Sequence, residues 1–159
     1  MPMRPAKTSD ATASGRIWFE GDIIRYESEG YGSWRWPLGR VRVIGEMTND
    51  QGPFRDDYFF CFATGPECWF EASYYAEGSM PFLFECAERL GAEMLPGLTG
   101  STDYASRILW PQHLVDEPMF EFSDDAPTGL WQRCVRFFLP QVRQVLSDVA
   151  MRELTNASP

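Results

Sequence analysis

The chain has almost no lysine. Of its 14 basic residues, 13 are arginine and the remaining one is Lys7. That weighs against Schiff-base chemistry and against a Walker-type phosphate loop, both of which need a lysine. Histidine is as scarce. His113, in "WPQHL", stands alone, and one imidazole cannot build a histidine metal site. The four cysteines, Cys61, Cys68, Cys86 and Cys134, form no CxxC pair, so the close spacing of a zinc site is missing. No glycine cluster has dinucleotide or phosphate-loop spacing, and no GxSxG turn occurs. No run of about 18 apolar residues is present to cross a membrane. Positive charge is also short, and the net charge is −9. Nucleic acids and anionic membranes both draw their binding energy from basic patches. An acidic chain is better suited to a basic protein partner.

What is present fits one domain. The 159 residues, 44% of them hydrophobic, can bury a core without metal or disulfide staples. "MPMRPAKTSDATASG" lacks the apolar centre of a signal peptide. It reads as a disordered leader over residues 1–14 on a cytoplasmic protein, with an α+β domain over 15–155. Within that domain, 15–91 reads as sheet plus helix, and 92–155 as an extension of helices and an edge strand.

"RIWFEGDIIRYES" reads as two strands joined at Gly21-Asp22, a hairpin signal. Trp34 and Trp36 share one parity in "WRWPLGRVRVIGEM", and Pro37 to Gly39 then turn a corner. Arg35, Arg40 and Arg42 are read as pairing with acids of neighbouring strands. "PFRDDYFFCFATGPECWF" holds seven aromatic residues in 18. Tyr58, Phe60 and Phe62 alternate with Phe59, Cys61 and Ala63. Both faces are apolar, as in a strand covered on both sides. A turn at "TGPE" sets Cys61 opposite Phe70 and Cys68 opposite Ala63, out of register for a disulfide. Asp56 and Asp57 precede this strand, and adjacent strand residues point to opposite faces. They are therefore read as serving separate roles and not one acid–base pair. Glu46 and Asp50 are the nearby acids that could add to a hard-cation site, which needs several convergent carboxylates.

"SMPFLFECAERLG" has apolar residues at Phe82, Leu83, Cys86, Ala87 and Leu90, one helical face, with Ser79 to cap its start and Gly91 its end. "STDYASRILWP" predicts a short helix stopping before Pro111. "HLVDEPMFEFSDDAP" carries five acids and no Lys or Arg, and reads as a short edge strand between acidic turns. Trp131, Val135, Phe138, Val142, Val145 and Val149 are spaced 4, 3, 4, 3, 4. That predicts one helix with an apolar stripe about 27 Å long. Pro140 kinks this helix on its solvent side. The stripe covers the sheet or makes a homodimer.

Strand hairpins followed by an amphipathic helix, with "WPLGRVRVIGE" as a strand entry, resemble small bacterial pleckstrin-homology-like domains of the GRAM type over Arg16 to Gly91. The resemblance implies an antiparallel sheet closed by a helix. The family's lipid-binding members use basic residues in an early loop, where this chain has "GDIIRYESEGYGS".

The fold class expected is thus α+β: one antiparallel sheet of five to seven strands packed by helices, with a long kinked C-terminal helix. The function expected is non-catalytic binding of a protein with a basic surface, as in an inhibitor or immunity-type protein. No cofactor or metal is assigned. The residues proposed to meet the partner are Tyr31, Trp34, Trp36, Asp116, Glu117, Glu121, Asp124 and Asp125, because aromatic side chains anchor interfaces. The alternative is an enzyme or small-ligand binder, with Asp103, Arg107 and His113 in a pocket between sheet and C-terminal helix.

Overall fold

The computed structural model describes residues 13–50, 55–99, 101, 104–123 and 143–156. Strands β1 (Arg16–Glu20), β2 (Ile23–Ser28) and β3 (Gly32–Pro37) form an antiparallel meander. β4 (Val43–Thr48), β5 (Tyr58–Gly65), β6 (Cys68–Ser73) and β7 (Ala105–Trp110) form a four-stranded sheet in the order β6-β5-β4-β7. Helix α1 (Ser79–Leu90) lies between β6 and β7 in the chain. β8 (Phe120–Ser123) pairs with β9 (Arg143–Leu146), and α2 (Asp148–Asn156) follows.

The architecture is layered because β5 is apolar on both faces. Tyr58, Phe60 and Phe62 face a core shared with Ile17, Ile24, Tyr26 and Trp34 of the meander and with Phe82, Leu83 and Cys86 of α1. Phe59, Cys61 and Ala63 face a second core with Met119, Phe120, Leu146, Ala150 and Leu154. Thus the meander and α1 cover one face of the four-stranded sheet, and β8, β9 and α2 cover the other. Gly45 in β4 marks how closely the second layer approaches. A Cβ there would lie 2.3 Å from Met119 Sδ and 2.9 Å from the Arg107 carbonyl oxygen.

The alternation of the meander is regular. Ile17, Ile24, Tyr26 and Trp34 point inward, while Arg16, Glu27 and Arg35 are exposed on the outer face, as period two requires. Gly21-Asp22 makes the predicted hairpin turn. A 3₁₀ turn over Leu38–Arg40 makes the predicted corner. Helix α1 has the predicted bounds, with Gly91 as its left-handed C-cap. Ser79 does not cap it. Gly78 holds the N-cap position, and Ser79 Oγ donates to the Tyr74 carbonyl instead, at 2.6 Å.

Four expectations are corrected. The single sheet of five to seven strands is instead, among the described residues, nine strands in sheets of three, four and two. The Pro37–Arg40 corner does more than bend one sheet, since it ends the meander and starts another sheet. The predicted helix in "STDYASRILWP" is strand β7, antiparallel to β4. In that strand Ile108 and Leu109 are buried toward opposite cores, an arrangement one helical face cannot give. The long C-terminal helix does not exist as a continuous element. Arg143–Leu146 is a strand, and α2 begins only after Ser147, whose Oγ accepts the Ala150 N–H at 3.2 Å. This is an N-cap interaction, and it starts a new helix within the apolar stripe. Trp131, Val135, Phe138, Pro140 and Val142 lie outside the described residues, as does Cys134, so the homodimer reading loses the helix on which it rested. Finally, Cys61 pairs across with Glu71 and Cys68 with Gly65, because the register shifts between Ala63 and Gly65. Cys61, Cys68 and Cys86 carry no disulfide.

Candidate functional site

The acids of "VDEPMFEF" and the interior they rest on form the best-defined polar feature. Asp116, Glu117 and Glu121 are exposed. Between them Met119 and Phe120 are buried at 0% and 3% exposure. The stretch therefore sorts itself, with apolar side chains entering the second core and carboxylates facing solvent. Its backbone is stitched to β7, since Ile108 N–H donates to the Glu117 carbonyl at 2.8 Å and Asp116 N–H to the Ile108 carbonyl at 3.1 Å.

Arg107 joins this acidic edge to the interior. Its Nε donates to Glu46 Oε1 at 2.9 Å and its Nη1 to Asp116 Oδ1 at 2.7 Å, while Nη2 meets the Leu95 carbonyl. Glu46, on β4, is fully buried. A buried carboxylate is costly unless it is paired and hydrogen-bonded. Here Arg107 supplies the charge, Gly97 N–H donates to Oε1 at 2.8 Å, and the Tyr58 hydroxyl donates to Oε2. Burial, reinforced by the Glu46 carboxylate, holds the Tyr58 phenol well above its ordinary value, so it remains a donor. Asp116 sits at φ 73°, a left-handed conformation that acids tolerate better than most side chains.

Gly97 is required by this packing. A Cβ there would fall 2.7 Å from Arg107 Cζ and 2.9 Å from Nη1, and the guanidinium cannot retreat without releasing Glu46 or Asp116. Gly97→Ala is expected to cost roughly 1–3 kcal/mol of stability, measured as a lower urea midpoint.

The other candidates lie elsewhere. Trp34 is only 7% exposed. Its ring packs among Tyr26, Phe62 and Phe70, and its Nε1 donates to the Glu71 carbonyl at 2.8 Å. It belongs to the core and cannot serve as a surface anchor. Trp36 is half-buried against Phe70, and its Nε1 is buried without a hydrogen-bond partner. Tyr31 is half-buried, edge-on to Phe59, and its hydroxyl accepts the Asp56 N–H at 2.8 Å. Asp124 and Asp125 lie outside the described residues.

Of the alternative trio, Arg107 and His113 are held by different partners. Asp103 lies outside the described residues. Arg107 is committed to Glu46 and Asp116. His113, 64% exposed, has Nε2 3.0 Å from Glu153 Oε2 on α2. No hydrogen bond or ion pair joins Arg107 to His113. Asp56 and Asp57 also separate as expected, Asp56 accepting the Ser73 hydroxyl and Asp57 the Tyr75 hydroxyl. No group of three or more His, Cys, Asp or Glu side chains placed to hold a metal occurs among the described residues. Arg35, Arg40 and Arg42 form no ion pair among the described residues, contrary to their expected pairing; Arg25, Arg89 and Arg107 are the arginines that do.

A second acidic surface was not anticipated. An open groove of about 360 Å³ is lined by Arg16, Glu27, Ser28, Glu29, Ser33 and Glu77. The bridge between Arg16 and Glu77 brings its far wall beside the meander. Only the cluster of acids in "YESEG" hinted at it, since Glu77 is distant in sequence. No helix among the described residues is long and apolar enough to cross a membrane. No protein-family model, curated protein or solved structure matches the chain, so the likeness to pleckstrin-homology-like domains rests on the residues quoted for it alone.

Proposed function

We propose that the chain is a non-catalytic protein-binding module that offers carboxylates to a basic protein, in the manner of an inhibitor. One observation carries the reading: Asp116, Glu117 and Glu121 are exposed together while the apolar residues among them are buried. The acids stand on a backbone pinned by β7, and Asp116 is held by Arg107. Preorganised charge of one sign accelerates encounter with an oppositely charged partner and discriminates against others. The chain's net charge of −9 acts in the same direction. The groove glutamates Glu27, Glu29 and Glu77 form a separate acidic surface on the meander. A cytoplasmic setting belongs to the same proposal and is supported by the thiols of Cys61 and Cys86, buried and without disulfides.

The test is capture from the native organism's lysate at low and at high salt. The bait is the wild-type chain or the Asp116→Asn, Glu117→Gln, Glu121→Gln triple variant. A basic protein recovered by the wild type at low salt, and lost with high salt or with the variant, is the expected result. Recovery of nothing but the bait, or of a partner indifferent to both changes, would overturn the proposal.

A further inference from the structure

Glu71 is a buried carboxylate that the proposed binding surface does not use. It lies on β6, an edge strand, on the face covered by β9. Its residue is 7% exposed. Oε1 accepts the Trp69 Nε1 and the Gln144 Nε2, each at 3.2 Å, so one donor comes from β6 itself and the other from β9. Both donors are neutral. Among the described residues no cation pairs with Glu71, in contrast to Glu46, which has Arg107.

The groups around it are few. Across β5 stands Cys61, whose thiol is pushed well above its ordinary value by burial and then by Glu71 and Glu46, so it is neutral. On α2, Asp148 and Arg152 are exposed and Glu153 is engaged by His113. Glu121 on β8 is exposed. None of these offsets a charge on Glu71. An ionised carboxylate in that position needs water, and separation of β9, whose Gln144 meets the carboxylate, from β6 would admit it.

We infer that the β8–β9–α2 layer is held on the four-stranded sheet by a protonated Glu71, and that loss of this proton loosens the layer and uncovers the second core. The direction follows from linkage. Burial pushes the Glu71 carboxyl up to about 7, with Trp69 and Gln144 opposing only in part. The closed state therefore binds the proton more tightly than an opened state whose carboxyl is hydrated. Closure is strongest at acid pH, weakens as pH rises from the ordinary carboxylate range to about 7, and levels off above that. This inference is independent of the proposed partner.

Hydrogen-exchange protection factors, which already correct for the pH dependence of intrinsic exchange, test it in the full chain. Between about pH 5 and about pH 8, protection over residues 143–156 is expected to fall by about tenfold or more, while β1 to β3 hold theirs. Glu71→Gln, nearly isosteric and without a titrating proton, should flatten the response. His113→Gln, which removes the imidazole that meets Glu153 on α2, should leave it in place. Protection over 143–156 that is constant with pH would overturn the inference. So would an equal fall over β1 to β3, or a Glu71→Gln response as steep as wild type. The first two outcomes need no variant, so poor folding of Glu71→Gln would not shield the inference.

Discussion

Arg107→Ala is expected to destabilise the protein by about 3–5 kcal/mol, the range for removing one partner of a buried ion pair. The size follows from what is left behind. Glu46 is fully buried and would keep only the Gly97 N–H and the Tyr58 hydroxyl, two neutral donors for a full charge. The change also frees Asp116 and the Leu95 carbonyl from their shared cation. The cost therefore includes looser attachment of the 95–97 segment and of the acidic edge. Urea unfolding measures it as a lower midpoint at unchanged slope. A double variant, Glu46→Leu with Arg107→Met, is expected to recover most of the loss. Apolar replacement of a buried pair is often neutral or better, whereas breaking one is not. An Arg107→Ala midpoint within error of wild type would mean that Glu46 is hydrated.

Trp34→Ala is the second large effect, about 3–5 kcal/mol. Two losses combine. The indole fills the space between Tyr26, Phe62 and Phe70, where the meander meets the four-stranded sheet. Its Nε1 also occupies the Glu71 carbonyl on the β6 edge, while the Tyr26 hydroxyl takes the Ser73 N–H on the same edge. Side chains of the meander thus close a strand edge that would otherwise offer its backbone to another chain. Thermal unfolding of Trp34→Ala should show a much lower midpoint. A variant that folds as wild type but loses its partner would restore Trp34 as a surface anchor and contradict its burial.

The parts of the fold legible in sequence are those with a local signal. The β1–β2 hairpin, the Pro37 corner, α1 and the doubly covered β5 each depend on a local signal: a two-residue turn, a proline, a 3.6 period, apolar residues at both parities. β7 failed because "ASRILW" is short and carries Leu and Arg, compatible with either period. Its pairing with β4, 57 or more residues away in sequence, decided the matter. The C-terminal stripe failed for another reason. Its spacing continues through Val145 and Val149, and only the Ser147-Asp148 start signal interrupts it. That signal is local and short, and the spacing alone predicts an unbroken helix.

The site was legible in composition but not in geometry. Five acids without a lysine or arginine mark 116–125 as acidic, but nothing in that run says which of its apolar residues turn inward. Trp34 and Trp36 read as surface anchors because aromatic side chains are enriched at interfaces, although their shared parity points to one face of a strand. In sequence, Arg107 reads as a residue of a ligand pocket. What holds it is Glu46, 61 residues away, and no local pattern connects the two. Glu71 was invisible as a special residue, since its burial depends on β9 crossing the edge of β6.

The most direct measurement is the association rate constant of the captured basic partner, with the wild-type chain and with the Asp116→Asn, Glu117→Gln, Glu121→Gln variant, from low to high salt. The wild-type rate is expected to fall by about tenfold or more as salt screens the exposed charges. The variant should start slower and respond less, with its stability lowered by no more than about 1 kcal/mol for the exposed Asp116–Arg107 pair it loses. Equal rates for the two proteins, with equal salt dependence, would contradict the claim that these carboxylates are the binding surface.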